Sequence, residues 1–297
     1  MHDAIPLRTV FALRQFAAFT GVDLAELAVI AENVREVRLA AGTEIAAADA
    51  RLPALHLILE GEIEVRSGDR LRRWGQREVF GLLEVLADRP LSAPAIAATT
   101  TRTLALRAAD TREILEDNFG VLHAVIRALG HRTLATTGML APVAIPSPLR
   151  LTLVERLIVL RQLEPFAGGR LHALAALASG CEEVVVPRGE LLGRASKPPD
   201  GFAIVLSGEV HAQRPGELAT QPLQAGESVG VLEAIAGRPF EVNAEAVAPT
   251  RLLRCSLSTL IDVLEDHTDL GLAMVSNAAT RLLDHHPMER DLHEHVS

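Results

Sequence analysis

Two sets of side chains have types and spacing that could do chemistry. Glu84 and Glu233 recur at matching positions of the sequence and could form a paired acidic site, but we interpret them as surface carboxylates that stabilise short helices. The segment from Asp284 onward holds four histidines that could bind a divalent metal ion: His285, His286, His293 and His295. Because no fixed ligand geometry is evident there, residues 285–297 are expected to form a flexible tail, and no metal site is predicted.

The two cysteines, Cys181 and Cys255, lie in apolar segments and show neither a CxxC motif nor Cys/His ligand spacing. We therefore predict small buried side chains in a reducing compartment rather than a disulfide. The chain also has no GxSxG, HExxH, GxxxxGK or GxGxxG motif in a context that suits catalysis or phosphate binding. The prediction is a protein that is not an enzyme, with no catalytic residues and no cofactor.

Length and composition define the class of protein. A chain of 297 residues is about twice the usual length of one domain, which predicts two domains. Its apolar runs are interrupted before they reach the roughly 20 residues that span a bilayer, and its N-terminus shows no export signal. The net charge of −9 has the wrong sign for a protein that mainly binds the DNA backbone. We expect a cytoplasmic protein that binds neither membranes nor nucleic acid.

An internal repeat organises the chain. The segment that begins at Leu13 aligns with the segment that begins at Leu160. With the same difference in residue number, the segment LHLILEGEIEV aligns with FAIVLSGEVHA. FGLLEVLADRP from Phe80 then aligns with VGVLEAIAGRP from Val229 at a slightly larger offset, which places extra residues in a hairpin of the second copy. Self-similarity over these lengths indicates two copies of one structural unit.

Each copy is expected to contain a short helix, a set of strands and a second helical region. The second helical regions are predicted at about residues 110–137 and 258–284, where apolar residues recur every three and four positions. Three prolines between the copies cannot continue a helix. The predicted organisation is a first domain over residues 1–141, a proline-rich linker over 142–148, a second domain over 149–284, and the tail.

Two repeated segments carry a resemblance to a known family: the apolar strand that is followed by Gly-Glu, and the stretch that runs from the turn glycine to the Arg-Pro pair. In these segments the chain resembles the cyclic-nucleotide-binding domain family of catabolite-activator-type regulators, kinase regulatory subunits and gated channels. The resemblance covers nearly the whole chain, twice. It implies an α+β fold, mainly β, with two tandem β-rolls of jelly-roll type flanked by helices. Because few residues follow the second copy, we expect no helix-turn-helix of the kind that the transcriptional branch of the family carries.

The resemblance also implies which residues would bind a ligand. In the family, helix-terminal N–H groups and an arginine neutralise the cyclic phosphate, and a glutamate accepts a hydrogen bond from the ribose 2′-hydroxyl. The glutamate is expected directly after the turn glycine. In the first copy Leu82 follows Gly81, and in the second copy Val231 follows Gly230. Both copies therefore lack the ribose ligand.

The phosphate-binding arginine is expected directly after the proline of each Arg-Pro pair. The chain has Leu91 there in the first copy and Phe240 in the second, the latter followed by Glu241. Arg89 and Arg238 precede the prolines, and we interpret them as surface residues near a helix C-terminus. The alternative is that a shift in register brings them to the phosphate.

The degenerate pockets are predicted to be lined by Gly81, Leu82, Leu83, Arg89, Leu91 and Ser92 in the first copy and by Gly230, Val231, Leu232, Arg238, Phe240 and Glu241 in the second. A phosphate buried against leucine or phenylalanine without a cation costs several kcal/mol, and about 1.4 kcal/mol is a factor of ten in affinity. Cyclic AMP and cyclic GMP are therefore not expected to bind.

These observations predict a non-catalytic regulatory or adaptor protein that uses degenerate domains of this type to bind a partner protein, which the sequence does not identify. The alternative is a sensor that binds a cyclic nucleotide atypically, or another small ligand, in the remodelled apolar pockets. The regulatory assignment rests on analogy at the level of the fold.

A stripe of apolar residues follows the first predicted roll. It contains Leu122, Val125, Ile126 and Leu129, and it is too apolar to remain in contact with water. Pairing with a second copy of the chain would cover it, and we predict a two-fold homodimer, the commonest arrangement of soluble oligomers. Packing of the stripe within its own chain is the alternative.

Overall fold

The computed structural model describes residues 7–19, 22–137, 139–147 and 149–285. These residues form two compact units. One comprises the described residues up to Val125 together with those from Ala279, and the other comprises Ile126–Ala278. The boundaries between the units fall inside two long helices. This is because each unit groups residues that pack together, and these residues are not all consecutive in the chain. The domain boundaries predicted at residues 141 and 149 separate consecutive segments of the chain, and they stay predictions.

The first unit begins with two helices, α1 (Leu7–Leu13) and α2 (Leu24–Asn33), with a 3₁₀ turn at Ala17–Phe19 between them. Its strands are β1 (Arg35–Leu39), β2 (Glu44–Ala46), β3 (Ala54–Glu60), β4 (Ile63–Ser67), β5 (Arg70–Trp74), β6 (Val79–Phe80), β7 (Ala95–Ala97) and β8 (Thr101–Arg107). The short helix α3 (Leu82–Leu86) lies between β6 and β7, and α4 (Ala108–Asp117) and α5 (Phe119–Thr137) follow β8.

The strands of the first unit form two antiparallel sheets, in the orders β1-β8-β3-β6 and β2-β7-β4-β5. Their apolar side chains meet in one core, which includes Ile58, Ile63 and Val65. Trp74 packs edge-on against Phe80 in this core, with ring centroids 5.0 Å apart. The core therefore lies between the two sheets of the roll.

The second unit repeats this order of elements. After the last part of α5 it contains α6 (Leu153–Gln162), a 3₁₀ turn at Glu164–Phe166 and α7 (Leu171–Gly180). Its strands are β9 (Glu182–Val186), β10 (Leu191–Gly193), β11 (Gly201–Ser207), β12 (Val210–Gln213), β13 (Thr220–Leu223), β14 (Ser228–Val229), β15 (Asn243–Ala246) and β16 (Thr250–Ser256). The short helix α8 (Val231–Ala236) follows β14, and α9 (Leu257–Asp266) and α10 (Thr268–His285) follow β16.

The sheets of the second unit have the orders β14-β11-β16-β9 and β10-β15-β12-β13, which match those of the first unit strand for strand. The core again lies inside the roll and includes Val205, Val210, Leu223, Phe240 and Leu252. The prediction of an α+β fold with two tandem β-rolls flanked by helices is therefore confirmed, with 40% of residues in helices and 27% in strands.

The turn after β3 and after β11 requires glycine. Gly61 (φ 87°) and Gly208 (φ 96°) are both left-handed. A Cβ at Gly208 would lie 2.6 Å from Thr250 Oγ1, and a Cβ at Gly61 would meet Thr101 Oγ1 at the same distance. The amide after each glycine donates a hydrogen bond to that threonine hydroxyl, at 3.1 Å in the first roll and 3.2 Å in the second. The turn thus depends on a close approach of backbone and threonine.

The proline-rich segment lies against the second unit. The Val143 amide donates a hydrogen bond to the Gly226 carbonyl at 2.8 Å. The side chain of Gln162 accepts from the Ala144 amide at 2.9 Å and donates to its carbonyl at 3.2 Å. Extended backbone, which prolines favour, leaves these groups free for such pairing. The segment is therefore part of the second unit's surface.

The two cysteines are free and buried, as predicted. Cys181 follows α7 and Cys255 lies in β16, on a strand that pairs with the residues just after Cys181. Interaction with Cys255 and burial both raise the pKa of the Cys181 thiol. A thiol in this state is a weak nucleophile, which agrees with a packing role.

The apolar stripe on α5 is buried within one chain. Leu122, Ile126 and Leu129 are 0%, 3% and 2% exposed, and Val125 is half-buried. Further along the helix, the Gly130 backbone lies close to Ile235. Packing within its own chain, which was the alternative to pairing between chains, therefore describes this stripe. The homodimer stays a prediction, and it needs a different contact surface.

Replacement of Gly208 by valine is expected to destabilise the second unit strongly, because the new side chain meets both a left-handed φ and Thr250. We expect a loss of about 3 kcal/mol or more in the free energy of unfolding, measured by chemical denaturation. Gly216→Val is the control, since Gly216 has φ 84° but no heavy atom within 4 Å of its Cβ position. Equal losses in the two variants would show that the contact with Thr250 is unimportant.

Leu122→Glu is expected to lower the free energy of unfolding by about 3 kcal/mol or more, because it buries a carboxylate without a partner. Ala135→Glu, at an exposed position of the same helix, should leave stability nearly unchanged. Thermal unfolding and sedimentation velocity are measured on both variants. A Leu122→Glu chain that stays folded and only dissociates from a dimer would show that the stripe joins two chains.

Candidate functional site

A left-handed glycine begins the short helix in both rolls. Gly81 (φ 83°) follows β6 and begins α3, and Gly230 (φ 80°) follows β14 and begins α8. The predicted pocket residues all lie in this turn, its helix and the segment after it. They divide into a buried set, Gly81, Leu83, Leu91, Gly230, Val231, Leu232 and Phe240, a half-buried residue, Leu82, and an exposed set, Arg89, Ser92, Arg238 and Glu241.

The position after the turn glycine carries no hydrogen-bond acceptor for a ribose. Leu82 is half-buried in the first roll, and Val231 is 2% exposed in the second. The next residues, Leu83 and Leu232, are also buried. The first turn of each short helix is therefore anchored to its roll by apolar side chains.

Leu91 directly follows Pro90 in the first roll, where the resemblance led us to expect a phosphate-binding arginine. Its side chain is 3% exposed and belongs to the core of the roll together with Leu52. Its backbone pairs in both directions with the loop after β2, because the Leu91 amide donates to the Ala50 carbonyl at 3.0 Å and the Asp49 amide donates to the Leu91 carbonyl at 2.9 Å. The residue is thus fixed with its side chain inside the roll.

Phe240 occupies the same place in the second roll. Its amide donates to the Lys197 carbonyl at 3.0 Å, and its carbonyl accepts from the Ser196 amide at 2.8 Å. A Cβ on Gly230 or on Gly193 would lie 3.0 Å from the phenyl ring. The ring therefore packs between the turn before α8 and strand β10.

Leu52 is a lining residue that the sequence analysis missed. Its Cδ1 atom is 2.5 Å from the position of a Cβ on Gly81, so the side chain covers the turn of the first roll. Leu52 lies just after the loop that pairs with Leu91. The sequence could have indicated Leu52 only through its position, because a residue next to a loop that pairs with Leu91 also lies close to Leu91.

Neither arginine is placed in the core. Arg89 Nη1 donates a hydrogen bond to Asp284 Oδ1 at 2.5 Å. Arg238 is exposed and has no side-chain partner among the residues that the structure describes. The amides of Arg89 and Arg238 donate to the carbonyls of Glu84 and Glu233, both at 2.9 Å, just beyond the short helices. This arrangement fits the interpretation of surface residues at a helix C-terminus.

Two carboxylates, Glu233 and Glu241, lie near the short helix of the second roll. Burial raises the pKa of the Glu233 carboxyl, and the nearby charge of Glu241 raises it further. Glu233 is therefore more buried than the surface carboxylate that the sequence suggested. Glu241 is exposed and pairs with Arg214 at 3.3 Å. An added phosphate would meet like charge here.

The chemistry available at these sites follows from the groups present. Among the described residues predicted to line the two pockets, the buried side chains are apolar, and both arginines lie on the surface. Apolar side chains supply neither ligands for a metal ion nor charge for a phosphate. The arrangement of these buried apolar side chains suits packing inside the roll.

A sequence model of the family described as "Cyclic nucleotide-binding domain" matches residues 36–118 and 183–267, which contain the two rolls. No curated protein matches the chain in sequence.

Several solved structures are similar to the chain. The regulatory domain of Toxoplasma gondii PKA, co-crystallised with cAMP, shows 16% identity and a TM-score of 0.36 over 95% of this chain and 100% of that one. The regulatory subunit of a cAMP-independent protein kinase A from Trypanosoma brucei shows 15% identity and a TM-score of 0.38 over 91% of each chain. The N-terminal domain of a transcriptional regulator from Streptomyces coelicolor A3(2) shows 24% identity and a TM-score of 0.41 over 46% of this chain and 96% of that one.

The two matched segments together make up more than half of the chain, and each coincides with a roll that has the same strand order as the other. The chain therefore belongs to the cyclic nucleotide-binding domain family.

Proposed function

We propose that this chain is a non-catalytic regulatory or adaptor protein in which both rolls have lost cyclic-nucleotide binding and support protein–protein interaction. The observation that carries the proposal is the burial of Leu91 and Phe240 where the family places an arginine. Each of these side chains is part of the core of its roll.

Energetics supports the loss of nucleotide binding. A cyclic phosphate at either place would lose its hydration and gain no cation, which costs several kcal/mol. It would also have to displace a packed side chain, and the cavity or strain that results adds a further cost of about 1–3 kcal/mol. In the second roll the exposed carboxylate of Glu241 directly follows Phe240 and adds negative charge near this place. These terms act together against a phosphate ligand.

Exposed apolar residues on α6 support a role in binding a protein. Val154 and Ile158 lie one helical turn apart and are 64% and 45% exposed, and Leu153 beside them is 48% exposed. Neighbouring exposed apolar side chains of this size often mark interaction sites. We refer to these three residues as the α6 patch.

Among the described residues, no helix combines the length and the apolar character that crossing a bilayer requires. We propose a cytoplasmic location and partners that are proteins rather than nucleic acid, since the net charge is −9.

Isothermal titration calorimetry is expected to show no binding of cyclic AMP or cyclic GMP up to about 1 mM, because the loss of several kcal/mol moves a micromolar site to the millimolar range or beyond. Cyclic dinucleotides are titrated in parallel. Saturable micromolar binding of a cyclic mononucleotide at physiological salt would contradict the proposal. Binding of another small ligand that Phe240→Ala abolishes would favour the sensor alternative.

The α6 patch is tested by the double variant Val154→Asp and Ile158→Asp. The chain and the variant are each used to capture proteins from an extract of the source cells, and captured proteins are compared quantitatively. We expect the variant to lose at least tenfold of a specific partner, with unchanged thermal stability because both residues are exposed. Leu218→Asp is the control, since Leu218 is 99% exposed and lies away from α6 in sequence. Equal capture by all three chains would remove the patch from the proposal.

A further inference from the structure

Three residues of the second unit that could bind a metal ion lie together at one junction of helices. His172 is at the start of α7, His267 lies between α9 and α10, and Asp269 is in the first turn of α10. Each offers one ligand atom, and these atoms all lie within 4.8 Å of one another. The two imidazole rings are 5.0 Å apart between centroids. Residues that are distant in sequence thus converge on one place.

The carboxylate of Asp269 is only partly satisfied. Its Oδ1 atom is 3.9 Å from His172 Nε2. Its Oδ2 atom is buried and has no hydrogen-bond partner among the described residues. A buried carboxylate oxygen without a partner costs free energy, and a bound cation would remove that cost.

Arg170 offers the other explanation of this cluster. Its Nε atom lies 3.7 Å from Asp269 Oδ2, which is an ion pair but too long for a hydrogen bond. The guanidinium is 75% exposed, so solvent weakens the attraction. The pair with Arg170 therefore leaves the carboxylate free to exchange an exposed partner for a metal ion.

The first unit shows that the fold does not require these residues. By the alignment of the two copies, His172 corresponds to Ala25, and the His267 and Asp269 positions correspond to Asn118 and Gly120. Asn118 follows α4 just as His267 follows α9, with similar backbone angles. The same junction is thus built once with all three donor groups and once without that set of donors.

The donor set indicates the class of ion. Two imidazole nitrogens and one carboxylate oxygen suit zinc and similar borderline divalent metals, whereas magnesium and calcium prefer oxygen ligands. Zinc ligands lie about 2.0–2.2 Å from the metal, so their atoms are about 3.4 Å apart in a tetrahedral site. The separations between the ligand atoms, which are at most 4.8 Å, must therefore shorten by up to about 1.4 Å. The exposed His172 side chain has the freedom to make this movement, since it is 59% exposed.

We propose that His172, His267 and Asp269 form a binding site for a zinc-class divalent metal ion, which joins α7 to the α9–α10 junction. Three protein ligands leave a coordination position for water or for a side chain of a partner. The site is independent of the rolls' pockets and does not rest on the proposed adaptor function.

The test uses the full chain with His285, His286, His293 and His295 replaced by glutamine, so that the C-terminal histidines cannot bind metal. Zinc is titrated by calorimetry, and cobalt is added as a spectroscopic probe of nitrogen and oxygen ligation. We expect one equivalent of zinc per chain with a micromolar or lower Kd, visible d–d absorption with cobalt, and a melting temperature that rises by a few degrees with zinc.

His172→Ala on this background is expected to weaken zinc binding at least tenfold and to abolish the thermal shift, while the exposed position keeps the chain folded. Asp269→Asn should act in the same direction, and Arg170→Gln should leave affinity unchanged or increase it, because a competing cation is removed. His211→Ala is the control, because His211 pairs with Glu209 outside the cluster. Absence of binding in the tail-substituted chain, or equal affinity in His172→Ala, would overturn the proposal.

Discussion

Each roll depends on one apolar side chain buried at the point where the strands meet the short helix. Leu91 and Phe240 hold this place, and their backbones pair with the loops that contain Asp49 and Ser196. Those two loop residues are themselves left-handed, with φ of 60° and 65°, a conformation that costs about 1 kcal/mol and persists where surrounding contacts fix it. An arginine at this place would have to bring its guanidinium into the core. The packing that stabilises the roll is therefore the same feature on which the proposed loss of nucleotide binding rests.

The turns that define the roll do not involve the ligand site. Gly61 and Gly208 pack against Thr101 and Thr250, both of which are fully buried, and these contacts join β3 to β8 and β11 to β16. A hydroxyl that pairs with backbone inside the core is costly to remove, so it specifies the register of the strands. The scaffold is thus determined by contacts that remain whether or not a nucleotide binds, and loss of the ligand residues leaves the fold intact.

The repeat in the sequence was enough to predict two copies of one unit, because matching glycines and apolar runs report local backbone and core requirements that act over short distances, and the family resemblance identified that unit as a β-roll. The sequence also indicated that Arg89 is a surface residue, whereas it placed Leu91 in the lining of a pocket and did not predict that this side chain packs in the core. Leu52 and the convergence of His172 with His267 were not predicted, since both result from contacts between segments far apart in the chain. The burial of Glu233 was missed for the same reason, because a single acidic residue in a short helix does not show which neighbours will desolvate it.

The two units differ in the surroundings of one matching charged residue, Glu36 in the first unit and Glu183 in the second. The Glu36 side chain in β1 is about half exposed, and its Oε1 atom lies 3.5 Å from Arg102 Nη1. The Glu183 side chain in β9, in contrast, is 6% exposed and accepts a hydrogen bond from the Leu151 amide at 2.6 Å. Arg156 of α6 lies 3.8 Å from Glu183. A buried carboxylate must keep its partners, and removal of one costs about 3–5 kcal/mol. This ion pair therefore fixes α6, which also carries the exposed apolar patch, to the sheet of the second roll. The interaction surface that we propose on α6 thus lies on a helix that is held in place before binding, and pre-organisation of this kind lowers the conformational entropy lost on binding.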